Sequence, residues 1–241
     1  VVERPASAVK ELLENAGYEI VPFAPGADVY VINTCTVTHA GDRKSRQMIR
    51  RAKQINPQAV VVVTGCYAQT SPEAVAAIED VDIILGTNMR HLIVDEVEAF
   101  AGSRVQLVDE KDTLTDFEEI SMDRVIQKAR AYLKVQEGCE QFCTYCIIPY
   151  ARGPLRSRSM ENTLQEAKKL EQAGFKEIIL TGIHLGAYGK PSEVEREAGA
   201  MQQVTLADLC EMLLNETSFE RIRLSSIEPT EVDDHLLRLF A

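Results

Sequence analysis

Three cysteines in one short segment, Cys139, Cys143 and Cys146, have the spacing of a site that does chemistry. A structural zinc site closes its coordination with four protein ligands, and the next Cys or His, His184, lies far along the chain. A four-iron cluster held by three thiolates keeps one iron open to a ligand that is not protein. The segment therefore predicts an open iron–sulfur site, with a zinc loop or a surface cysteine group as the alternative.

The sequence around these cysteines predicts a parallel βα series that positions them. A strand is expected over 132–136, directly before the cysteines. The further elements alternate helix and strand: 161–173, 177–181, 206–215, 221–225 and 231–240. Successive units of this kind build a barrel whose functional loops follow the carboxyl ends of the strands, which is where the cysteines lie. Phe142 and Tyr145 would give a bound cluster apolar cover.

An earlier α/β series carries a second pair of cysteines. Its predicted elements are a helix over 9–16, strands over 29–33, 59–64 and 81–85, and helices over 42–55 and from Ser71, with Ser71 as N-cap and Pro72 as the first helical residue. Cys35 and Cys66 follow two successive strands, at the edge where open α/β sheets bind ligands. Two buried structural cysteines are the alternative.

Between the two series, from 101 to 130, periodicity fades and acidic residues accumulate, which is typical of a linker. We therefore expect an α/β protein with an N-terminal parallel-sheet domain over 1–105, a linker over 106–130 and a second domain over 131–241.

Composition excludes several classes. The chain has 241 residues, 45% of them hydrophobic, so it can bury real cores. Six cysteines, three of them bunched, do not form a secreted disulfide framework, which favours a cytoplasmic location. No stretch approaches the roughly 20 apolar residues of a membrane span, and we expect no membrane partner. Because the net charge is −11, any contact with RNA would have to come from a local basic patch.

Five motifs in order resemble those of the radical S-adenosylmethionine (SAM) methylthiotransferases, from about Gly17 to the end of the chain. They are residues 33–38 (Asn-Thr-Cys-Thr-Val-Thr), 64–69 (Thr-Gly-Cys-Tyr-Ala-Gln), 138–153, 156–158 (Arg-Ser-Arg) and 180–184 (Leu-Thr-Gly-Ile-His). The resemblance implies an N-terminal methylthiotransferase domain followed by a partial radical SAM βα barrel.

The resemblance also implies cofactors and roles. Cys139, Cys143 and Cys146 would hold the 4Fe-4S cluster that binds SAM and cleaves it to a 5′-deoxyadenosyl radical. Cys35 and Cys66 would help to hold a second 4Fe-4S cluster, which supplies the methylthio sulfur. An electron donor such as flavodoxin or ferredoxin would reduce the first cluster.

Three substrate branches of the family remain open. Residues 41–51 and 65–69 and the run 147–149 look most like the enzymes that modify N6-threonylcarbamoyladenosine at tRNA position 37. The alternatives are isopentenyladenosine in tRNA and an aspartate of a ribosomal protein. From another class, a non-catalytic zinc or RNA-binding module remains possible.

Further candidates bind SAM or RNA. For SAM the candidates are Tyr145, Thr181, Gly182, Ser226 and Glu228. For RNA they are Arg43, Lys44, Arg46, Arg50, Arg51, Arg152, Arg156 and Arg158. A solvated helix face is the alternative for the first five of these cations. We assign none of the four histidines as a ligand and place Cys210 in the core.

The sequence departs from the family in three places. A third cysteine for the second cluster is expected before Val1, the barrel stops after about half of its six units, and the RNA-binding TRAM domain of the family is missing. These departures predict that the sequence is a fragment.

Overall fold

A computed structural model describes residues 3–35, 39–119 and 130–240. The residues up to Leu114 together with Phe142–Arg152 form one compact unit, unit 1, and the remaining residues form unit 2. Residues 36–38 of the first motif, residues 120–129 of the expected linker and the chain ends, residues 1–2 and 241, lie outside the described residues.

Unit 1 contains a parallel sheet between helices. Its four strands are neighbours in chain order: β1 (Val29–Thr34), β2 (Val60–Gly65), β3 (Ile83–Leu85) and β4 (Val105–Leu107). Its helices are α1 (Glu3–Asn15), α2 (His39–Ile55), α3 (Cys66–Thr70), α4 (Pro72–Ala76), α5 (Ile93–Glu98) and α6 (Ile148–Arg152). The expected alternation of helix and parallel strand is confirmed.

The central strand β2 explains why this sheet forms. It is a run of valines, and a strand covered on both faces favours such a run. Val61 and Val63 pack in one cluster with Ile49 of α2, whereas Val62 packs on the other face with Leu13 of α1 and Ile93 of α5. The sheet is therefore buried on both sides, and its strand ends are left to carry function.

Two local expectations for unit 1 differ from the structure. Ser71 occupies the predicted N-cap position of α4 and Pro72 opens the helix, but the Ser71 side chain makes no capping hydrogen bond. An unpredicted helix, α3, already begins at Cys66. Strand β4 lies in the stretch expected to be a linker, because its three residues are too few to show a periodicity.

Unit 2 contains the second βα series. Its parallel sheet has the order β5 (Arg130–Lys134), β8 (Glu177–Thr181), β9 (Arg221–Leu224), and a short antiparallel pair consists of β6 (Gln136–Glu137) and β7 (Arg156–Ser157). Its helices are α7 (Met160–Gln172), α8 (Glu193–Glu197), α9 (Leu206–Glu216) and α10 (Asp234–Leu239). The α/β class and the parallel order of this series are confirmed.

Sequence signals fix where the helices of unit 2 begin. Thr205 and Asp208 form a reciprocal capping box at α9, and Ser159 accepts a hydrogen bond from the amide of Asn162 at α7. The core behind the sheet joins Leu133, Ile178 and Leu180 of the strands to the helices. No helix in the described part of the chain is long and apolar enough to span a membrane.

Candidate functional site

Cys35 and Cys66 both lie at the carboxyl edge of the sheet of unit 1. Strands β1 and β2 pair in a register that sets Thr34 opposite Gly65, so Cys35 and Cys66 are the next residues of adjacent strands. Cys66 is buried and begins α3, Cys35 is half-buried, and both are free thiols. The structure thus brings together two residues that the sequence placed at the same edge.

Thr34 and Gly65 hold this edge in place. The Thr34 hydroxyl donates to the Thr64 carbonyl at 2.6 Å and accepts from the amide of Ala68 at 3.4 Å, which ties both strand ends to the first turn of α3. Gly65 has φ of 95°, and a Cβ there would collide with the Thr34 carbonyl oxygen. Thr34 and Gly65 lie within the motifs at 33–38 and 64–69, but the sequence alone indicates no role for either residue.

Part of the three-cysteine segment also folds with unit 1. The segment Phe142–Arg152 belongs to this unit, and its helix α6 packs against α3. The amide of Cys146 donates to the Cys143 carbonyl at 2.8 Å, and the ring of Phe142 makes an edge contact with Tyr150 at 5.7 Å. Four of the five cysteines in the two predicted sets therefore belong to unit 1.

Cys139 is fixed within unit 2. Its amide donates to the Gly153 carbonyl at 3.1 Å, just beyond the β6–β7 pair. Gly138 has φ of 76°, and a Cβ there would collide with the Pro154 carbonyl oxygen. The thiol of Cys139 is half-buried, and its Sγ lies 4.0 Å from Nδ1 of His184.

A buried amide orders the surroundings of Cys139. Gln136 is fully buried, accepts from the His184 amide at 2.7 Å, and donates to the carbonyls of Glu137 (2.7 Å) and Gly138 (3.0 Å). Nε2 of His184 lies 2.6 Å from a carboxylate oxygen of Glu231. The sequence carries no signal for Gln136 and Glu231, because only the fold brings these two residues to His184.

Comparisons with known proteins match both halves of the chain. Residues 3–86 match the family described as "Uncharacterized protein family UPF0004", and residues 133–240 match the radical SAM superfamily. The protein named threonylcarbamoyladenosine tRNA methylthiotransferase MtaB is 44% identical over 235 residues in Bacillus subtilis and 42% identical in Aquifex aeolicus. Both halves of the chain are therefore similar to proteins named as methylthiotransferases, and the second half matches the radical SAM superfamily.

Other similarities are broader. A tRNA-2-methylthio-N(6)-dimethylallyladenosine synthase of Clostridium botulinum is 32% identical over 99% of this chain. The alignments with the two MtaB proteins cover 96% and 95% of this chain but only 50% and 55% of the relatives, so the chain spans about half of their length. A radical SAM methyltransferase, TsrM from Kitasatospora setae, superposes with a TM-score of 0.62 at 13% identity, covering 98% of this chain and 55% of that protein, which shows the fold alone.

The cysteines of the chain suit the cofactors of radical SAM proteins, SAM and 4Fe-4S clusters. Cys139, Cys143 and Cys146 form no disulfide, so three sulfur atoms are available as ligands. Phe142, between the first two, takes a left-handed φ of 46° that turns the backbone. Tyr145 is 90% exposed, which leaves apolar surface next to the thiols uncovered. Thiols outside any disulfide and next to exposed aromatic rings are typical of a site that binds a cofactor, whereas structural cysteines are buried in a core.

The other SAM candidates end strands β8 and β9. Thr181 donates through Oγ1 to the Leu133 carbonyl at 3.4 Å, and Ser226 and Glu228 are exposed after β9. A Cβ on Gly182 would lie 2.8 Å from the Gln136 side chain, so this glycine makes room for that amide. A role of these residues toward SAM stays a prediction.

The arginines after the cysteine segment are less accessible than an RNA contact requires. Arg156 and Arg158 are only 5% and 7% exposed. Arg158 lies 2.6 Å from Glu119 and 3.9 Å from Glu166, inside unit 2, and its carbonyl accepts from the Tyr188 hydroxyl at 2.7 Å. This burial favours a structural role for both residues over the predicted RNA contact. Arg152 ends α6 and is half-buried.

Two remaining groups carry ligand-type atoms. Burial raises the pKa of Cys210 to about 12, so this thiol stays protonated within the core, as expected. Among the described residues, Asp208, Glu211 and His235 have one ligand atom each within 4.8 Å of one another. Asp208 already caps α9, and the ring nitrogens of His235 lie 3.7 Å from Asp208 and 3.4 Å from Glu211, which makes the three residues an ordinary polar group at the surface.

Replacing Gln136 with leucine is expected to destabilise the protein by about 3 kcal/mol. The change leaves a buried amide and two carbonyls without partners, and each such loss costs about 1–3 kcal/mol. Thermal unfolding of the apoprotein measures the effect. The matched control is Gln165→Leu on the exposed face of α7, which should change stability by less than about 0.5 kcal/mol. Equal melting temperatures for the two variants would contradict the structural role of Gln136.

Proposed function

We propose that the full-length protein transfers a methylthio group to carbon 2 of N6-threonylcarbamoyladenosine at tRNA position 37. The observation that carries the proposal is the high identity to two relatives named for threonylcarbamoyladenosine, 44% and 42%. Three more relatives of that name are 33%, 33% and 32% identical, and three dimethylallyladenosine synthases are each 32% identical over a similar length. We place the reaction in the cytoplasm, with an electron donor such as flavodoxin or ferredoxin as a partner.

Each cysteine set has a separate role in this proposal. Cys139, Cys143 and Cys146 hold a 4Fe-4S cluster that, when bound, supplies reductive cleavage of SAM. Cys35 and Cys66 help to hold the second cluster, at the sheet edge that Thr34 and Gly65 fix. The chain itself supplies ligands and fixes their backbone, because both sets follow strand ends within hydrogen-bonded turns.

Nucleoside mass spectrometry of tRNA from cells lacking the gene tests the proposal. We expect the methylthio mark on threonylcarbamoyladenosine to disappear and to return when the full-length wild-type gene is restored. Restoration with the Cys139→Ala gene should not bring it back. An unchanged threonylcarbamoyladenosine profile overturns the proposal.

Because some relatives are named dimethylallyladenosine synthases, the same experiment should also measure the methylthio derivative of isopentenyladenosine. If the methylthio mark is instead lost from isopentenyladenosine, the second tRNA substrate is correct and our choice is wrong. Loss of a methylthio group from a ribosomal protein aspartate would move the substrate to protein. Metal analysis that returned zinc without iron would point to the non-catalytic module.

A further inference from the structure

Helix α2 concentrates positive charge in a chain of net charge −11. It carries six cations and one acidic residue, Asp42, in its first turn. Lys53 is already used within unit 1, since its Nζ lies 2.7 Å from Asp82 and donates to the Ala59 carbonyl at 2.8 Å. The other five cations lie closer to the start of the helix.

These five cations lack acidic partners in the described part of the chain. Arg43, Lys44 and Arg50 are exposed and make no ion pair there. Arg46 donates to the Tyr67 hydroxyl at 3.2 Å, and the guanidinium of Arg51 lies 6.0 Å from the centre of the Phe23 ring. Aromatic groups thus contact two of the guanidinium groups without neutralising them. Positive charge without acidic partners in the described residues is what binding of an anion requires.

The helix period collects these side chains on one face. Residues 43, 47, 50 and 54 are three or four positions apart and therefore neighbours along the helix surface. Together with Arg46 and Arg51, these four residues line an open cavity of about 500 Å³. We call the six lining residues the α2 basic face: Arg43, Arg46, Gln47, Arg50, Arg51 and Gln54. At 1.5 Å per residue, the face extends for about 16 Å from 43 to 54.

The chemistry of this face identifies its ligand. Every lining side chain is an arginine or a glutamine, so the cavity is rich in hydrogen-bond donors and contains no carboxylate. Guanidinium groups bind phosphate oxygens through paired charge-assisted bonds. None of the described residues that line the cavity is aromatic, so they offer no surface on which a base could stack. A face about 16 Å long suits a run of phosphates better than one isolated phosphate.

We infer that the α2 basic face binds the sugar–phosphate backbone of the RNA substrate. The inference rests on the proposed function, because it takes tRNA as the ligand, and it adds a contact surface within unit 1. Phosphate contacts position an RNA without reading its sequence. The face therefore contributes affinity and orientation, and it leaves the choice of the modified nucleotide to other parts of the protein.

The test compares tRNA binding by the full-length wild type and the Arg43→Gln/Arg50→Gln variant over a range of salt concentrations. Each lost phosphate contact lowers the slope of log K against log salt by about 0.7–0.9, so the double variant should lose about 1.5. We expect its Kd for tRNA to rise about tenfold at low salt. Both positions are exposed, so the melting temperature should not change.

A charge-matched control distinguishes tRNA binding at the α2 basic face from general electrostatic attraction between the protein and tRNA. The Lys168→Gln/Lys176→Gln variant removes the same number of charges from exposed lysines that lie 3.4 Å and 4.0 Å from Glu216 and Glu220. Its Kd should change less than about twofold, with the salt slope kept. The Arg43→Lys/Arg50→Lys variant should keep most of the salt slope, because it keeps both charges.

The outcomes distinguish this inference from the proposed function. If wild-type protein binds tRNA and the Arg43→Gln/Arg50→Gln variant keeps both Kd and slope, the inference is overturned while the proposed function stands. An equal loss in the lysine control also overturns it, because net charge then explains the effect. If wild-type protein binds no tRNA, the proposed function fails first. A selective loss in the arginine variant alone supports the inference.

Discussion

Replacing Cys139 with alanine in the full-length protein is expected to halve its iron after anaerobic reconstitution. Two four-iron clusters hold about eight irons per chain, and loss of the cluster at Cys139, Cys143 and Cys146 leaves about four. With only two thiolates in the segment, one further iron has no protein ligand. Iron analysis and the visible absorbance of the reconstituted protein measure the loss, and cleavage of SAM should cease with it.

The chain offers a matched control for this change in Cys210. Its thiol is buried in the core of unit 2 and has a pKa of about 12, so it is not available as a thiolate ligand. The Cys210→Ala variant should keep all of the iron and lose about 1 kcal/mol of stability. Full iron or continued SAM cleavage in the Cys139→Ala variant would show that the three-cysteine segment does not hold the cluster.

Local patterns were enough to predict the elements that carry the cysteines. A valine run bounded by turn residues predicted β2, and the spacing of apolar residues predicted α7 and α9 within one or two residues of their ends. The register of β1 and β2 then follows from the parallel sheet, which is why Cys35 and Cys66 could be placed at one edge. Such placement needs only chain order and strand polarity.

Interactions between distant segments could not be predicted in the same way. Gln136 and His184 are 48 positions apart, and only the pairing of β5 with β8 brings them together. Burial is a further example, since the sequence counts Arg158 as a cation near the cysteines but cannot show that Glu119 and Glu166 lie beside it. A charge pattern indicates a candidate, and the tertiary structure decides whether the charge is free.

The two groups of arginines differ in their burial and in their acidic partners. The cations of the α2 basic face and those after the cysteine segment look alike as sequence, because both are groups of arginines close to a cysteine motif. In the structure the first group is exposed without acidic partners in the described residues, whereas Arg156 and Arg158 are buried. RNA binding therefore concentrates, in our proposal, on the first group.

Replacing Gly138 with alanine is expected to destabilise the apoprotein by about 3 kcal/mol or more and to lower its iron content. Gly138 has φ of 76°, which costs an alanine about 1–2 kcal/mol. An added Cβ would also collide with the backbone oxygen of Pro154, and backbone cannot move aside as a flexible side chain can. The backbone that carries Cys139 must therefore shift. A melting temperature lower by about 6–12 °C and incomplete iron loading would measure this shift.

A Gly174→Ala variant distinguishes the effect of a Cβ collision from the effect of a left-handed φ. Gly174 has φ of 91°, but a Cβ there would have no atom within 4 Å, so Gly174→Ala carries only the conformational cost of about 1 kcal/mol and should keep its iron. If the two variants melt together and load iron equally, the close approach to Pro154 does not fix the cysteine segment. If only Gly138→Ala loses iron, the backbone contact between Gly138 and Pro154 sets the position of Cys139, because Gly174→Ala has a comparable φ without the collision.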